Sequence, residues 1–294
     1  MRHRVAIWNP ASGSAPDEDE LKAALGADTE LVETSPQDPG AGQAAKAVAN
    51  GATVVIACGG DGTVRSCLEG LTDSDTSLGI VPLGTGNLLA HNLSITDGMD
   101  AANSAGRGDS KRIDLGQING ETFAVMAGSG FDALMIRDAS DKVKSRLGTI
   151  AYVISGAKNL RTDLVHTTVE VDGKSWFQGR TSMVLVGNFG TITGGIDVFP
   201  DAEPDDGLLD VAVMSPTKIR EWLTVAWRLF RHKPLPLELA RRTHGREILV
   251  EHRQPRPYEL DGEDRDPTRR LDISVLPDAI SIRLPGPTND EGIS

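Results

Sequence analysis

The stretch Thr53–Thr63, TVVIACGGDGT, decides how the rest of the chain is read. Its first half is a run of β-branched and small apolar residues, the composition of a strand buried on both faces of a parallel sheet. The run stops at Gly59-Gly60-Asp61-Gly62-Thr63. Glycines there let the backbone turn sharply and bring its N–H groups close to a ligand. From Thr63 onward TVRSCLEGL predicts a helix, so the turn sits at a helix N-terminus and suits an anionic phosphate. Asp61 is out of place beside a phosphate unless a divalent cation or a proton transfer needs it. A tight strand-to-helix turn with a capping Asp is the plainer reading of the same residues.

Outward from this turn, the N-terminal part alternates strands and helices. Arg4–Trp8 predicts a strand ending in Asn9-Pro10-Ala11-Ser12-Gly13. Asp17–Leu25 has acidic residues in its first turn and Gly26 behind it, as a helix should. Glu30–Thr34 is a second strand and Gly42–Ala49 a short Ala-rich helix. Leu78–Val81 is another strand, running into Pro82-Leu83-Gly84-Thr85-Gly86-Asn87 and a helix through about His91. This order predicts an open, mostly parallel α/β sheet, whose ligand crevice lies outside the strand C-termini. Asn9, Thr34, Gly59–Thr63 and Thr85 all fall on that edge. Four loops converging there say more than one glycine turn.

The pattern changes near Lys111. Arg112–Gln117 and Thr122–Ala127 flank Asn119-Gly120, and Thr167–Val171 and Trp176–Gln178 flank Asp172-Gly173, both hairpin dipeptides. Further strand-like runs are Ser182–Gly187, Leu208–Met214, Glu247–Val250, Leu271–Leu276 and Ile280–Leu284, interrupted by helical stretches around Gly148–Leu160 and from Lys218. The expected fold class is α/β plus β. An open α/β nucleotide-binding domain (1–111) precedes an antiparallel β-sandwich domain (112–285), and a disordered tail follows (286–294).

A formal net charge of −12 over 294 residues argues against broad nucleic-acid binding and against simple electrostatic adhesion to membranes. No segment has the apolar length of a membrane-spanning helix, and the apolar run in MRHRVAIWNP is too short for a signal peptide. Cys58 and Cys67 are therefore expected to be reduced thiols in a cytoplasmic protein. Gly173-Lys174-Ser175 ends like a phosphate-binding P-loop, but Thr168 stands where its first Gly belongs. GSGFDA at 128–133 has the glycines of a dinucleotide fingerprint without a βαβ unit around it. The histidines lack ligand-like spacing, and no nucleophile elbow supports a Ser-His-Asp hydrolase. On a helical wheel, Lys218–Lys233 puts Ile219, Trp222, Leu223, Ala226, Leu229 and Phe230 on one face and Arg220, Thr224, Arg228 and Arg231 on the other. That pattern fits an interfacial membrane anchor, and equally an ordinary helix packed on the second domain.

Asn9-Pro-Ala-Ser-Gly13, GGDGT at 59–63, PLGTGN at 82–87 and Asp261-Gly262-Glu263, in this order, resemble the diacylglycerol kinase catalytic-domain family, which includes bacterial lipid kinases and sphingosine kinases. The resemblance continues through GSGFDA (128–133), VGNFGTITGG (186–195) and FPDAEPDDGLLDV (199–211), so it covers nearly the whole chain. It implies an active site in the cleft between the two domains. It also implies that ATP is held by Asn9, Thr34, Gly59, Gly60, Asp61, Gly62, Thr63 and Thr85. Glu263 matches the proposed general base of the family. A structural Mg²⁺ is implied on the Asp206 side chain and the main-chain oxygens of Glu203 and Leu208, with Asp61 linking this metal network to catalysis. Asp205 and Asp210 are neighbouring carboxylates that also read as ordinary loop and strand-edge charge.

The chemistry is coherent without the resemblance. Phosphoryl transfer needs a phosphate cradle, a divalent cation and help in removing the acceptor's proton, and a positioned carboxylate raises such a rate by about 10²–10⁴-fold. The sequence thus predicts an ATP- and Mg²⁺-dependent lipid kinase acting on a hydroxyl of diacylglycerol or a related lipid. It would be cytoplasmic, touching the inner membrane surface peripherally, with a homodimer as a further implication of the resemblance. A soluble-substrate kinase such as NAD kinase, or a non-catalytic nucleotide- or lipid-binding relative, is the alternative.

Overall fold

The computed structural model describes residues 3–96, 98–130, 164–192, 196–216, 219–230 and 239–285. The helix expected around Gly148–Leu160, the end of GSGFDA, residues 193–195 of VGNFGTITGG, both ends of Lys218–Lys233 and the 286–294 tail lie outside these. The chain folds into two compact units, Met1–Asp114 with Pro277–Ser294, and Leu115–Leu276.

The first unit runs β1 (Arg4–Trp8), α1 (Glu18–Leu25), β2 (Thr29–Glu33), α2 (Ala41–Ala49), β3 (Val54–Gly59), α3 (Asp61–Leu71), β4 (Ser77–Pro82), α4 (Leu88–Asn92) and α5 (Ala102–Arg107). β1 pairs in parallel with both β2 and β3, and β3 pairs in parallel with β4. The strand order β2-β1-β3-β4 therefore reverses direction between β1 and β3, which is where open α/β sheets bind ligands. Every residue of β1, β3 and β4 is buried, as their apolar composition requires, while β2 at the edge is partly exposed. Burying a side chain such as Ile56, Leu78 or Ile80 contributes about 1.5–3 kcal/mol. Asp17 caps α1 by accepting the Glu20 N–H at 2.8 Å. α5 lies directly on β4, because Gly79 leaves room for it: a Cβ there would come within 2.1 Å of the Ala105 carbonyl oxygen.

The second unit contains the end of β5 (Asp109–Ile118), then β6 (Glu121–Phe123), β7 (Met126–Ser129), β8 (Val165–Val171), β9 (Lys174–Thr181), β10 (Met183–Gly187), the short pair β11 (Thr191–Ile192) and β12 (Ile196–Asp197), and β13 (Leu209–Met214). It continues with α6 (Ile219–Phe230), β14 (Ala240–Gly245), β15 (Glu247–Leu260) and most of β16 (Glu263–Leu284). Its strands pair antiparallel in the order β14-β13-β10-β7-β15. The first half of β15 also pairs with β8, and most of its length with β16. One core gathers Phe123, Val169, Val186, Val211, Ile248, Leu260 and Ile273 from these strands. Within this unit, His252 is 4% exposed. Its Nε2 lies 2.9 Å from Ser129 Oγ and its Nδ1 2.9 Å from Thr167 Oγ1. Burial, and then the Arg256 charge, push this imidazole down to about 4.

Both hairpin dipeptides turn as expected: Asn119 and Gly120 have φ 50° and 90°, Asp172 and Gly173 have φ 50° and 71°. Three departures are informative. The single strand expected over Thr122–Ala127 ends at Phe123, and Met126–Ser129 pairs with β10 and β15 instead. Leu271–Leu276 and Ile280–Leu284 belong to one strand, β16, whose end pairs in parallel with β4 at Ile282 and Leu78. Residues 277–284 thereby join the first unit, whereas the sequence grouped 112–285 together. β14, ARRTHG, carries no apolar run and escaped the sequence reading.

Candidate active site

The four predicted loops lie side by side at the C-terminal edge of the parallel sheet, tied by backbone hydrogen bonds. The Thr34 N–H donates to the Trp8 carbonyl at 2.8 Å, Asn9 N–H to Cys58 at 3.0 Å, and Leu83 N–H to Gly59 at 2.9 Å. Asn9 bridges two loops: its Oδ1 accepts the Ala11 N–H at 3.0 Å, and its Nδ2 donates to Thr63 Oγ1 at 3.4 Å. Thr63 is buried with its side chain over Gly59, where a Cβ would lie 2.5 Å from Thr63 Oγ1. Thr85 is exposed and Thr34 half-buried. The helix after the glycines begins at Asp61, earlier than the expected Thr63, with Gly60 as N-cap. Asp61 and Gly62 thus stand in its first turn, where a carboxylate complements the helix dipole.

Glycines bring two of these loops into contact. A Cβ on Gly84 would lie 2.5 Å from the Gly60 Cα, and one on Gly86 2.6 Å from Asp61 Oδ2. Asp61 Oδ1 accepts the Leu88 N–H at 2.5 Å. Burial pushes the Asp61 carboxyl upward in pKa, and backbone N–H groups of Leu88 and Asn87 oppose it. Asn87 is buried and left-handed (φ 47°, ψ 43°); its side chain spans Gly84, accepting its N–H and donating to its carbonyl, both at 3.0 Å.

In the second unit Glu263 follows the two-residue turn Asp261-Gly262 (φ 47° and 86°) that joins β15 to β16, opposite Leu260. Glu263 is half-exposed, and Arg265 Nη1 lies 3.5 Å from its Oε2 while Arg265 Nε donates to Glu121 at 2.7 Å. The anchor of this turn is Asp261, whose carboxylate accepts the N–H groups of Ala124, Val125 and Met126 at 2.7, 2.8 and 2.9 Å. Its own N–H donates to the Met126 carbonyl at 2.8 Å. This capture of three successive N–H groups is what interrupts the strand expected over Thr122–Ala127. Asn188 holds the same segment from the carbonyl side, its N–H on Val125 at 2.9 Å and its Nδ2 on Ala124 at 3.2 Å. Asp261, Asn87 and Asn188 all stand in quoted motifs but were not singled out as site residues. An Asp or Asn beside glycine, tolerant of left-handed backbone, is the signal that marks the first two.

Glu203 and Asp206 are exposed on the loop before β13, and Asp206 Oδ1 accepts the Leu208 N–H at 2.9 Å. Asp210 is half-buried opposite His244; burial raises its pKa, His244 opposes the rise, and the Asp206 and Asp201 charges add to it. One carboxylate with main-chain carbonyl oxygens is an all-oxygen donor set that suits Mg²⁺ in kind. Among the described residues no group of three or more His, Cys, Asp or Glu side chains gathers to hold a metal. Cys58 and Cys67 are buried free thiols, their pKa values raised by burial. Among the described residues no helix is long and apolar enough to cross a membrane.

A parallel sheet with glycine turns at its switch point, followed along the chain by a β-sandwich-like domain, defines a two-domain kinase class. The diacylglycerol kinase catalytic domain signature matches residues 3–118, and that of the YegS C-terminal NAD kinase beta sandwich-like domain matches residues 125–284. The chain belongs to the diacylglycerol kinase catalytic-domain family, as a lipid kinase-like protein, and family membership implies ATP use. It is 30% identical over 275 residues to "Diacylglycerol kinase" of Bacillus subtilis (strain 168), covering 90% of each chain. It is 32% identical over 242 residues to "Lipid kinase YegS" of Escherichia coli (strain K12), covering 80% of this chain and 79% of that one. Its fold is similar to the crystal structure of a diacylglycerol kinase from Bacillus anthracis str. Sterne, with TM-score 0.77, 24% identity and 97% of each chain covered. An NAD kinase from Archaeoglobus fulgidus in complex with ATP has a more distant likeness of fold, with TM-score 0.53 and 12% identity over 95% of this chain and 93% of that one.

Proposed function

We propose that this protein transfers the γ-phosphoryl group of ATP to a hydroxyl of diacylglycerol or a related lipid. The observation that carries this reading is the row of strand-end loops around Gly59–Thr63 and Gly84–Asn87, in a chain of this family. Asn9, Thr34, Gly59, Gly60, Asp61, Gly62, Thr63 and Thr85 form the nucleotide site; with Thr63 buried, its contribution is through the main chain. A Cβ at Gly59, Gly60, Gly84 or Gly86 would press on Thr63, Gly84, Gly60 or Asp61, so glycine at these positions lets the loops that carry the phosphate-binding N–H groups pack against one another. Glu263 is the general base, accepting the proton of the lipid hydroxyl as it attacks the γ-phosphorus. Asp206, with the carbonyls of Glu203 and Leu208, would hold the structural Mg²⁺, an all-oxygen ligand set for a hard cation. The lipid is met at a membrane surface, and the Lys218–Lys233 stretch is the candidate contact.

The test is transfer of labelled phosphate from ATP and Mg²⁺ to a panel of lipids in mixed micelles, with NAD as a soluble acceptor. A lipid labelled by the wild type and not by Glu263→Gln supports the reading. Labelled NAD instead overturns it in favour of a soluble-substrate kinase. ATP binding with no acceptor labelled, even in a whole lipid extract, overturns it in favour of a non-catalytic relative.

A further inference from the structure

The chain passes between its two units only twice, from Asp114 to Leu115 inside β5 and from Leu276 to Pro277 inside β16. These two strands pair with each other. Within the second unit they are fastened at Asn119 and Asp272: the Asn119 N–H donates to the Asp272 carbonyl, and the Asp272 N–H to Asn119 Oδ1, both at 2.9 Å. Within the first unit Arg283 Nη1 donates to the Gly108 carbonyl at 2.9 Å. Between these fastenings, directly after the crossing, β16 departs from regular strand. Pro277 has no N–H to give to a ladder, and Asp278 is left-handed, with φ 50°. Both main-chain groups of Asp278 are taken instead by side chains of β5. The Asp114 carboxylate, itself buried, accepts the Asp278 N–H at 2.8 Å. Arg112 donates to the Asp278 carbonyl from Nε at 2.9 Å and again from Nη2. Arg112 is exposed and belongs to none of the loops assigned to ATP or Mg²⁺.

We propose that Arg112 is a positioning residue: its guanidinium braces the bend of β16 at Pro277–Asp278, and through that strand fixes the placement of Glu263. β16 begins at Glu263 and ends beside β4, with Ile282 opposite Leu78, and β4 runs into the Pro82–Asn87 loop. One strand thus leads from the proposed base to the sheet that carries the nucleotide loops. An L-residue resists left-handed backbone, so the bend at Asp278 has to be held from outside. A two-pronged guanidinium on its carbonyl, charge-assisted and fixed in geometry, does this. Because Glu263 stands at the far end of the strand, a small change of bend at Asp278 becomes a large displacement there. The proposal deepens the kinase reading and rests on it for the role of Glu263; the brace itself does not.

The test reads three quantities in the full chain: kcat with a lipid acceptor, Kd for ATP, and the distance distribution between nitroxide labels on Glu20→Cys and Gln178→Cys. Both labelled positions are exposed, one in each unit, and the native Cys58 and Cys67 are buried. The brace predicts that Arg112→Ala broadens the distribution and lowers kcat by about 10–100-fold, the effect of a displacement of about 1 Å at the reacting groups. Kd for ATP stays as in the wild type, because the loops assigned to ATP lie within the first unit. Asp278→Val, which opposes the left-handed backbone without touching Arg112, should do the same. Asp278→Gly, which keeps both main-chain groups and accepts the bend, should match the wild type. An unchanged distribution in Arg112→Ala overturns the brace, whatever happens to kcat. A broadened one with kcat unchanged overturns the positioning of Glu263. Should Arg112→Ala fail to fold, Asp278→Val is read by the same criteria. If the wild type labels no acceptor, the kinase reading falls, while the distance distribution still decides the brace.

Discussion

Asp61 in the parallel unit and Asp261 in the antiparallel unit each collect main-chain N–H groups from a segment distant in sequence. Asp61 does so from ordinary helical backbone, reaching Leu88 across a junction made of glycines. Asp261 does so from a left-handed hairpin turn, taking three successive N–H groups of a segment that would otherwise continue a strand. In the first region geometry is set by omitting side chains, because two loops meet at Gly60 and Gly84 with no room for a Cβ. In the second it is set by supplying one, the Asp261 carboxylate that anchors the turn before Glu263. Added atoms should therefore damage the first region, and removed atoms the second.

The largest effect separates chemistry from architecture within the second region. Glu263→Gln should lower the rate of phosphoryl transfer by about 10²–10⁴-fold while leaving ATP affinity and thermal stability as in the wild type. Two residues earlier, Asp261→Ala should cost about 3–5 kcal/mol of stability, because three N–H groups lose a charged acceptor together. Denaturant melts check it. Asp261→Gly, which tolerates the turn's backbone but lacks the carboxylate, should recover only a minor part.

A fall of about 3 kcal/mol is expected from acid alone, through His252. Its folded pKa of about 4 lies below the ordinary value of 6.5, so the unfolded chain binds the extra proton between them. This contribution is whole above pH 6.5 and is lost as pH falls toward 4. Unfolding measured across that window should have a positive slope with pH in the wild type and a flatter one in His252→Gln. The smallest effect belongs to the first region. Gly84→Ala forces apart two loops that meet at Gly60 and Gly84 with no room for a methyl group, at about 1–3 kcal/mol. It should weaken ATP binding more than it lowers stability, and calorimetry with ATP separates the two.

The parallel sheet was legible because its strands are buried throughout and read as unbroken apolar runs, from Arg4–Trp8 to Leu78–Val81. The hairpins at Asn119-Gly120 and Asp172-Gly173 were legible because a left-handed pair of residues has few sequence solutions. What escaped depends on partners remote in sequence. Nothing between Thr122 and Ala127 announces that Asp261 will take its N–H groups. Nothing in Ile280–Leu284 says that it joins the strand starting at Glu263 and ends beside β4. The same limit applies to the site. The motifs placed Asn9, Asp61 and Glu263 at turns, but whether Asp61 faces a ligand or its own backbone is a matter of tertiary structure.

The pairing of Ile282 with Leu78, reinforced by Ser281 Oγ 3.2 Å from Ser77 Oγ, has a consequence for biosynthesis. Residues 3–114 leave the ribosome first, carrying the glycine turns after β3 and β4, yet the strand that flanks β4 emerges only after the antiparallel unit has been made. During that interval β4 presents an unpaired, largely apolar edge, a template for pairing with other chains. A nascent chain that stalls before Pro277 is thus complete in its glycine-rich turns and incomplete in its sheet. Protection from aggregation during translation falls to whatever covers that edge until the last strand arrives.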